Sequence, residues 1–211
     1  MKPATRLRQI SPHLYGWASF HAHWKVDFNS YAVKTPDGIV FIDPIMPGPA
    51  LLKKLRELGE PLGVFLTSAS HERDADWFRK QFEVQVYAHE KAKPDCDIKL
   101  DVLVMDGEKV PGGLKAVCLP GSGAGETAYF TDLDGGILLL GDALLNPAKG
   151  GLALLPEQYC EDSKQARRSL DRLANLNYKV VTFAHGEPLT ANAKRDVQQF
   201  LEGPKKKKKK S

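Results

Sequence analysis

One stretch restricts the fold more than any other: Gly63-Val64-Phe65-Leu66-Thr67-Ser68-Ala69-Ser70-His71-Glu72-Arg73-Asp74-Ala75. Its apolar start, led by a β-branched and an aromatic residue, predicts a strand buried on both faces. The small residues that follow predict a loop. Asp74 suits a helix start by dipole complementarity, and Ala75, Phe78 and Phe82 share one face of the helix predicted over 74–82. A buried strand that empties through a short loop into a helix is an α/β unit, in which the C-terminal end of the strand displays functional side chains.

The rest of the chain repeats this logic. Strands are predicted over 14–20, 30–33 and 39–42, with a polar-aromatic loop over 21–28. Asp37-Gly38 supplies the positive φ of a tight hairpin turn. Pro47 and Pro49 open a helix with Leu51, Leu52, Leu55 and Leu58 on one face. Strands over 84–87, 100–105 and 114–119 follow, then a hairpin of 126–131 and 136–140 around Asp132-Leu133-Asp134-Gly135. The periodicity predicts helices over 161–173 and 191–201, with a strand over 179–183 between them. Two β-rich halves, each closed by helices, and no Ser- or Gly-rich linker imply one α/β domain over 1–204 with two packed sheets.

With 211 residues, 42% hydrophobic and 27% charged, the composition is that of a globular domain with ample core. No apolar run approaches the length of a membrane helix, and the basic start of the chain lacks the apolar segment of a signal peptide. Cys96, Cys118 and Cys160 are an odd number without metal or redox spacing, which fits a reducing, cytoplasmic setting. The net charge of +4 arises in Lys205 to Lys210; without those six lysines, 24 basic residues face 26 acidic ones. Residues 205–211 therefore read as a basic tail, and nucleic acid is not an expected partner.

The 63–75 stretch resembles the signature of the metallo-β-lactamase fold superfamily, a strand and Thr followed by His-x-His-x-Asp-His. Asn29-Ser30-Tyr31 with Asp37-Gly38-Ile39-Val40-Phe41-Ile42-Asp43-Pro44 is similar to the family's opening hairpin and Asp-ended strand. Val86-Tyr87-Ala88-His89-Glu90 resembles the strand after the signature helix. Cys118-Leu119-Pro120-Gly121-Ser122, Leu139-Leu140-Gly141-Asp142 and Ala184-His185-Gly186-Glu187-Pro188 look like the family's later ligand loops, in order. The resemblance covers residues 14–201 and implies a four-layer αβ/βα sandwich.

It also implies an altered metal centre. The positions of the first metal's three histidines hold Ser68, Ser70 and Ser122, and a hydroxyl is a poor ligand beside imidazole. The second metal's positions hold Glu72, Arg73 and His185, with Asp142 as the bridging carboxylate. Arg73 donates only and cannot ligate a metal. The expectation is a metal-free site in which Arg73 pairs with Asp142 or Glu72 in the cation's place. The alternative is one zinc, iron or manganese ion on Glu72, Asp142 and His185.

Three functions follow as expectations. The first is a protein without the dinuclear chemistry that binds a small, anionic ligand through Ser68, Ser70, His71, Arg73, Ser122, His21 and His23. The second is a mononuclear metal-dependent hydrolase of an ester, thioester or phosphoester, with His71, Asp142 and His185 as catalytic candidates. The third is a non-catalytic interaction module or homodimer using the apolar residues 152–155. No Gly-x-Ser-x-Gly elbow supports a serine triad with His185 and Asp142, and Pro120 and Glu126 break any likeness of 120–127 to a phosphate-binding loop.

Overall fold

In the computed structural model, which describes residues 1–147 and 150–203, two sheets lie face to face between helical layers. The first sheet carries seven strands in sequence order: β1 (Arg8–Ser11), β2 (Leu14–His21), β3 (Val26–Thr35), β4 (Gly38–Ile42), β5 (Pro61–Phe65), β6 (Val86–His89) and β7 (Val102–Val104). Strands β1 to β4 are antiparallel neighbours. The pairings β4–β5, β5–β6 and β6–β7 are parallel, reached through helix α1 (Pro49–Glu57), helix α2 (Ala75–Phe82) and a short 3-10 segment.

The second sheet holds β8 (Lys109–Val110), β9 (Leu114–Cys118), β10 (Thr127–Thr131), β11 (Ile137–Leu139) and β12 (Val180–Thr182), in the order β12-β11-β10-β9-β8. Among the described residues its one parallel strand pair is β11–β12, bridged by helix α3 (Ser163–Ser169); helix α4 (Ala193–Glu202) follows β12. Each parallel pair thus ends with its loops on one edge of its sheet. Those two edges meet in a common cleft.

Alternation along the strands sorts the apolar side chains into three layers of core. Between the sheets, Val33, Val40, Ile42 and Phe65 meet Leu114, Tyr129, Ile137 and Leu139. On the outer face of the first sheet, Phe41, Val64 and Leu66 pack on Leu51 and Leu55 of α1 and Phe78 of α2. On the far side, Leu138, Val181 and Phe183 are covered by Leu170, Leu173, Ala193 and Val197. This is the four-layer αβ/βα sandwich expected from the resemblance.

Several local expectations change. The 21–28 loop shrinks to residues 22–25, because Val26 to Phe28 extend β3 opposite Ser19, Phe20 and His21. The helix expected over 161–173 stops at Ser169 and tightens into a 3-10 segment, Leu170–Asn175. Strands β1 and β8 are additional; each is an edge strand too short to show a pattern. The basic residues 205–210 and Lys149 lie outside the described residues. No helix among the described residues is long and apolar enough to cross a membrane.

Candidate metal centre

Four strand ends supply the cleft. Asp43 follows β4, Thr67 and His71 follow β5, Asp142 follows β11 and His185 follows β12. Asp43 adopts a left-handed backbone conformation, φ 46°, uncommon for a non-glycine residue. Its side chain is then fully engaged by Thr67: Oδ1 accepts from the Thr67 amide at 2.8 Å and Oδ2 from the Thr67 hydroxyl at 2.5 Å.

His71 sits in a 3-10 turn, Ala69–His71, and is 3% exposed. Its Nδ1 lies 2.7 Å from Thr67 Oγ1 and 3.2 Å from Asp43 Oδ2. Because the Thr67 hydroxyl proton is committed to Asp43, Nδ1 is the donor in that contact. This turns Nε2 toward Asp142, 3.4 Å from Oδ2. His185 repeats the arrangement from the other sheet. Its Nδ1 donates to the Asp27 carbonyl at 2.8 Å, and its Nε2 lies 3.4 Å from Asp142 Oδ1.

One donor atom from each of His71, Asp142 and His185 therefore falls within 4.8 Å of the others. Asp142 Oδ1 is buried and accepts no hydrogen bond. Both imidazoles have the outer nitrogen engaged and the inner one presented, the arrangement in which histidine ligates metals.

The charges are strongly coupled. Burial works against a charged His71, but the Asp142 and Asp43 carboxylates prevail over it and over Arg73, pushing His71 up to about 10. Burial would raise Asp142, yet the His71 charge and hydrogen bond bring it down to about 2. His185 is lowered, chiefly by burial, with Asp142 opposing. Glu126, 2% exposed, is raised to about 8 by burial and by the Asp142 charge. One Glu126 oxygen accepts from the Ala143 amide at 3.0 Å and the other is buried without a partner.

Gly141 makes this packing feasible. A Cβ there would lie 2.5 Å from Thr67 Oγ1 and 2.6 Å from Glu126 Oε1, too close for any side chain.

The group of converging donors differs from the one expected from motif register. Glu72 does not join it: its carboxylate accepts from the Asp97 amide at 2.8 Å, on an exposed surface. His71, one residue earlier, is the side chain that converges with Asp142 and His185. Arg73 pairs with neither Asp142 nor Glu72 within ion-pair distance; its Nη1 donates to the carbonyls of Asn29 and Asp43, and the guanidinium stands 4.9 Å over the Phe28 ring. Two of its nitrogens are buried without partners. The reason is backbone direction. Arg73 also has positive φ, 40°, which turns it away from the course a regular helix start would give.

Ser68 and Ser122 are buried, at 2% and 0% exposure, and Ser122 Oγ has no partner. Ser70 is exposed and lies outside the group of donors. His21 stacks on Phe28, which in turn contacts His185, so it borders the cleft; its Nδ1 accepts from the Trp24 amide. His23 is exposed and packs against Trp24. Sequence reasoning missed Glu126. Only its place in a glycine-rich loop before a strand hinted that it faces inward.

A family model described as the metallo-beta-lactamase superfamily matches residues 7–202. Among curated proteins nothing matches. Among solved structures, a metallo-beta-lactamase family protein from Thermus thermophilus is 20% identical, with 92% of this chain and 80% of that one covered and a TM-score of 0.69. A metallo-beta-lactamase from Pontibacter korlensis is 18% identical, covering 94% and 99%, with a TM-score of 0.73. A protein solved in a di-iron-bound form is 26% identical, covering 77% and 89%, with a TM-score of 0.61.

Proposed function

This chain belongs to the metallo-beta-lactamase superfamily, and within it we propose that the protein is a hydrolase of a small ester, thioester or phosphoester that works with one divalent cation on His71, Asp142 and His185. The observation that carries this reading is the convergence of three donor atoms within 4.8 Å, two of them imidazole nitrogens whose ring partners are already engaged. Two imidazoles and a carboxylate suit zinc, iron or manganese, and the unpartnered Asp142 Oδ1 is an acceptor such an ion would satisfy.

The remaining residues argue for one ion rather than two. Ser68 and Ser122 offer hydroxyls where imidazoles would be needed, Ser70 faces outward, and Arg73 keeps a permanent positive charge close by. A divalent cation held there supplies a water activated at neutral pH and a Lewis acid for a carbonyl or phosphoryl oxygen.

The chain's own groups prepare the site. Asp43 and Thr67 orient His71, and the Asp27 carbonyl orients His185. Without the cation, His71 shares its proton with the flanking carboxylates, so binding a metal requires that proton to leave. Glu126 keeps its proton up to about pH 8 and so adds no further negative charge beside Asp142. Phe28, held under Arg73, walls the cleft beside His185.

The test is elemental analysis of protein purified without chelator, followed by a panel of ester, thioester and phosphodiester substrates. The reading expects about one equivalent of zinc, iron or manganese, lost in Asp142→Asn and His185→Ala, and hydrolysis that a chelator stops. Metal below about a tenth of an equivalent, with no thermal shift on adding metals, would overturn it. The unpartnered Arg73 nitrogens would then make a metal-free anion site the better reading.

A further inference from the structure

A cavity of about 500 Å³ adjoins the candidate metal centre. It is lined by the buried Ser122 and Ala143, the residue after Asp142, by residues 154–157 and Cys160, and by residues of α3. That volume falls in the range of small-molecule sites, roughly 300–1,000 Å³.

The lining is divided by chemistry. Leu154, Leu155 and Pro156 make an apolar wall. The exposed Lys164 and Arg168 and the half-buried Arg167 also line it, against the single acid Glu157. Arg167 is already held by the Leu201 carbonyl and Asp171, but no ion pair among the described residues involves Lys164 or Arg168. At the inner end, Ser122 Oγ is completely buried and without a hydrogen-bond partner. A buried hydroxyl left unpaired costs free energy that a ligand's polar atom would recover.

We propose that this cavity binds an amphiphilic carboxylate: a charged end on Lys164 and Arg168, an apolar body along Leu154 to Pro156, and a polar far end on Ser122. The proposal rests on the hydrolase reading and names its substrate class, since the polar end would meet the cleft next to Asp142. A substrate of this kind carries its carboxylate away from the bond to be broken. Its occupancy does not require the cation, which makes the two ideas separable.

The test uses chelator-treated full-length protein and calorimetry with four compounds: octanoate, 8-hydroxyoctanoate, 1-octanol and inorganic phosphate. Octanoate is expected to bind where neutral octanol and phosphate do not, and Lys164→Glu with Arg168→Glu to weaken it about tenfold or more. Both positions are exposed, so the fold tolerates the change. The added hydroxyl of 8-hydroxyoctanoate is expected to tighten binding about fivefold, a gain that Ser122→Ala removes.

Location is read independently through Cys160, which lines the cavity and is half-buried. Octanoate is expected to slow maleimide labelling of Cys160, measured by peptide mass spectrometry. No octanoate binding, binding indifferent to both charge variants, or binding that leaves Cys160 unprotected would each overturn the proposal. Metal analysis that fails while octanoate binds and protects Cys160 would sink the hydrolase reading and leave the carboxylate a ligand of the cavity rather than a substrate.

Discussion

The cleft has two sides built from the same kinds of strand ends, and they have different chemistry. One side presents His71, Asp142 and His185, each aimed by a partner: Thr67 and Asp43 behind the first, the Asp27 carbonyl behind the last. The other side presents Ser68, Ser122 and Glu126, with two buried oxygens that meet no partner. Oriented imidazoles are the donors that the proposed cation requires; hydroxyls and a carboxyl that retains its proton are poor ones. The difference teaches that motif register alone does not say which side chains converge: His71, not Glu72, joins Asp142 and His185.

The largest effect should come from breaking the histidine side itself. His71→Ala is expected to abolish metal binding, whereas Glu72→Ala leaves it unchanged, measured by metal content after dialysis. The reverse result would restore the ligand set expected from motif register. A smaller loss follows from removing the groups that aim His71: Thr67→Val is expected to weaken metal affinity about 10- to 100-fold in competition titrations. Retained wild-type affinity would mean that the hydroxyl only fills space.

The serine side is sharpened by pH. Glu126 has a folded pKa raised to about 8, so the stability it contributes is full below its unfolded value and is lost as pH rises through 8. Glu126→Gln should therefore be nearly neutral near pH 4 and stabilise the protein by about 1–3 kcal/mol near pH 9, read by chemical denaturation. His71, raised to about 10, acts in the same direction in metal-free protein: its contribution is full below about 6.5 and fades as pH approaches 10. Asp142, lowered to about 2, loses its contribution only as pH falls toward that value. The smallest effect is expected at Ser70. Ser70→Ala should change neither metal content nor stability beyond about 0.5 kcal/mol, because the side chain is exposed and apart from the donors.

Much of this molecule was legible in the chain. The run Val64 to Leu66, the Asp37-Gly38 turn and the leucine stripe of α1 each follow from local periodicity, and local periodicity is what a strand or helix is. The ends of elements were less legible. Nothing in Val26-Asp27-Phe28 distinguishes a loop from the extended strand that pairs with Ser19, Phe20 and His21. At the site, Asp142 and His185 were readable because each ends a buried strand in one of the family's loops.

The sequence by itself determined the layers, the order of the strands that carry the site, and the presence of serine at positions 68, 70 and 122. Only the tertiary structure decided which residues meet. Asp43 and Arg73 both have positive φ; Arg73 meets the Asn29 and Asp43 carbonyls, Glu72 the Asp97 amide, and His71, from its 3-10 turn, Thr67 and the carboxylates of Asp43 and Asp142. Such choices are made by backbone directions and by buried partners distant along the chain, which local spacing does not encode.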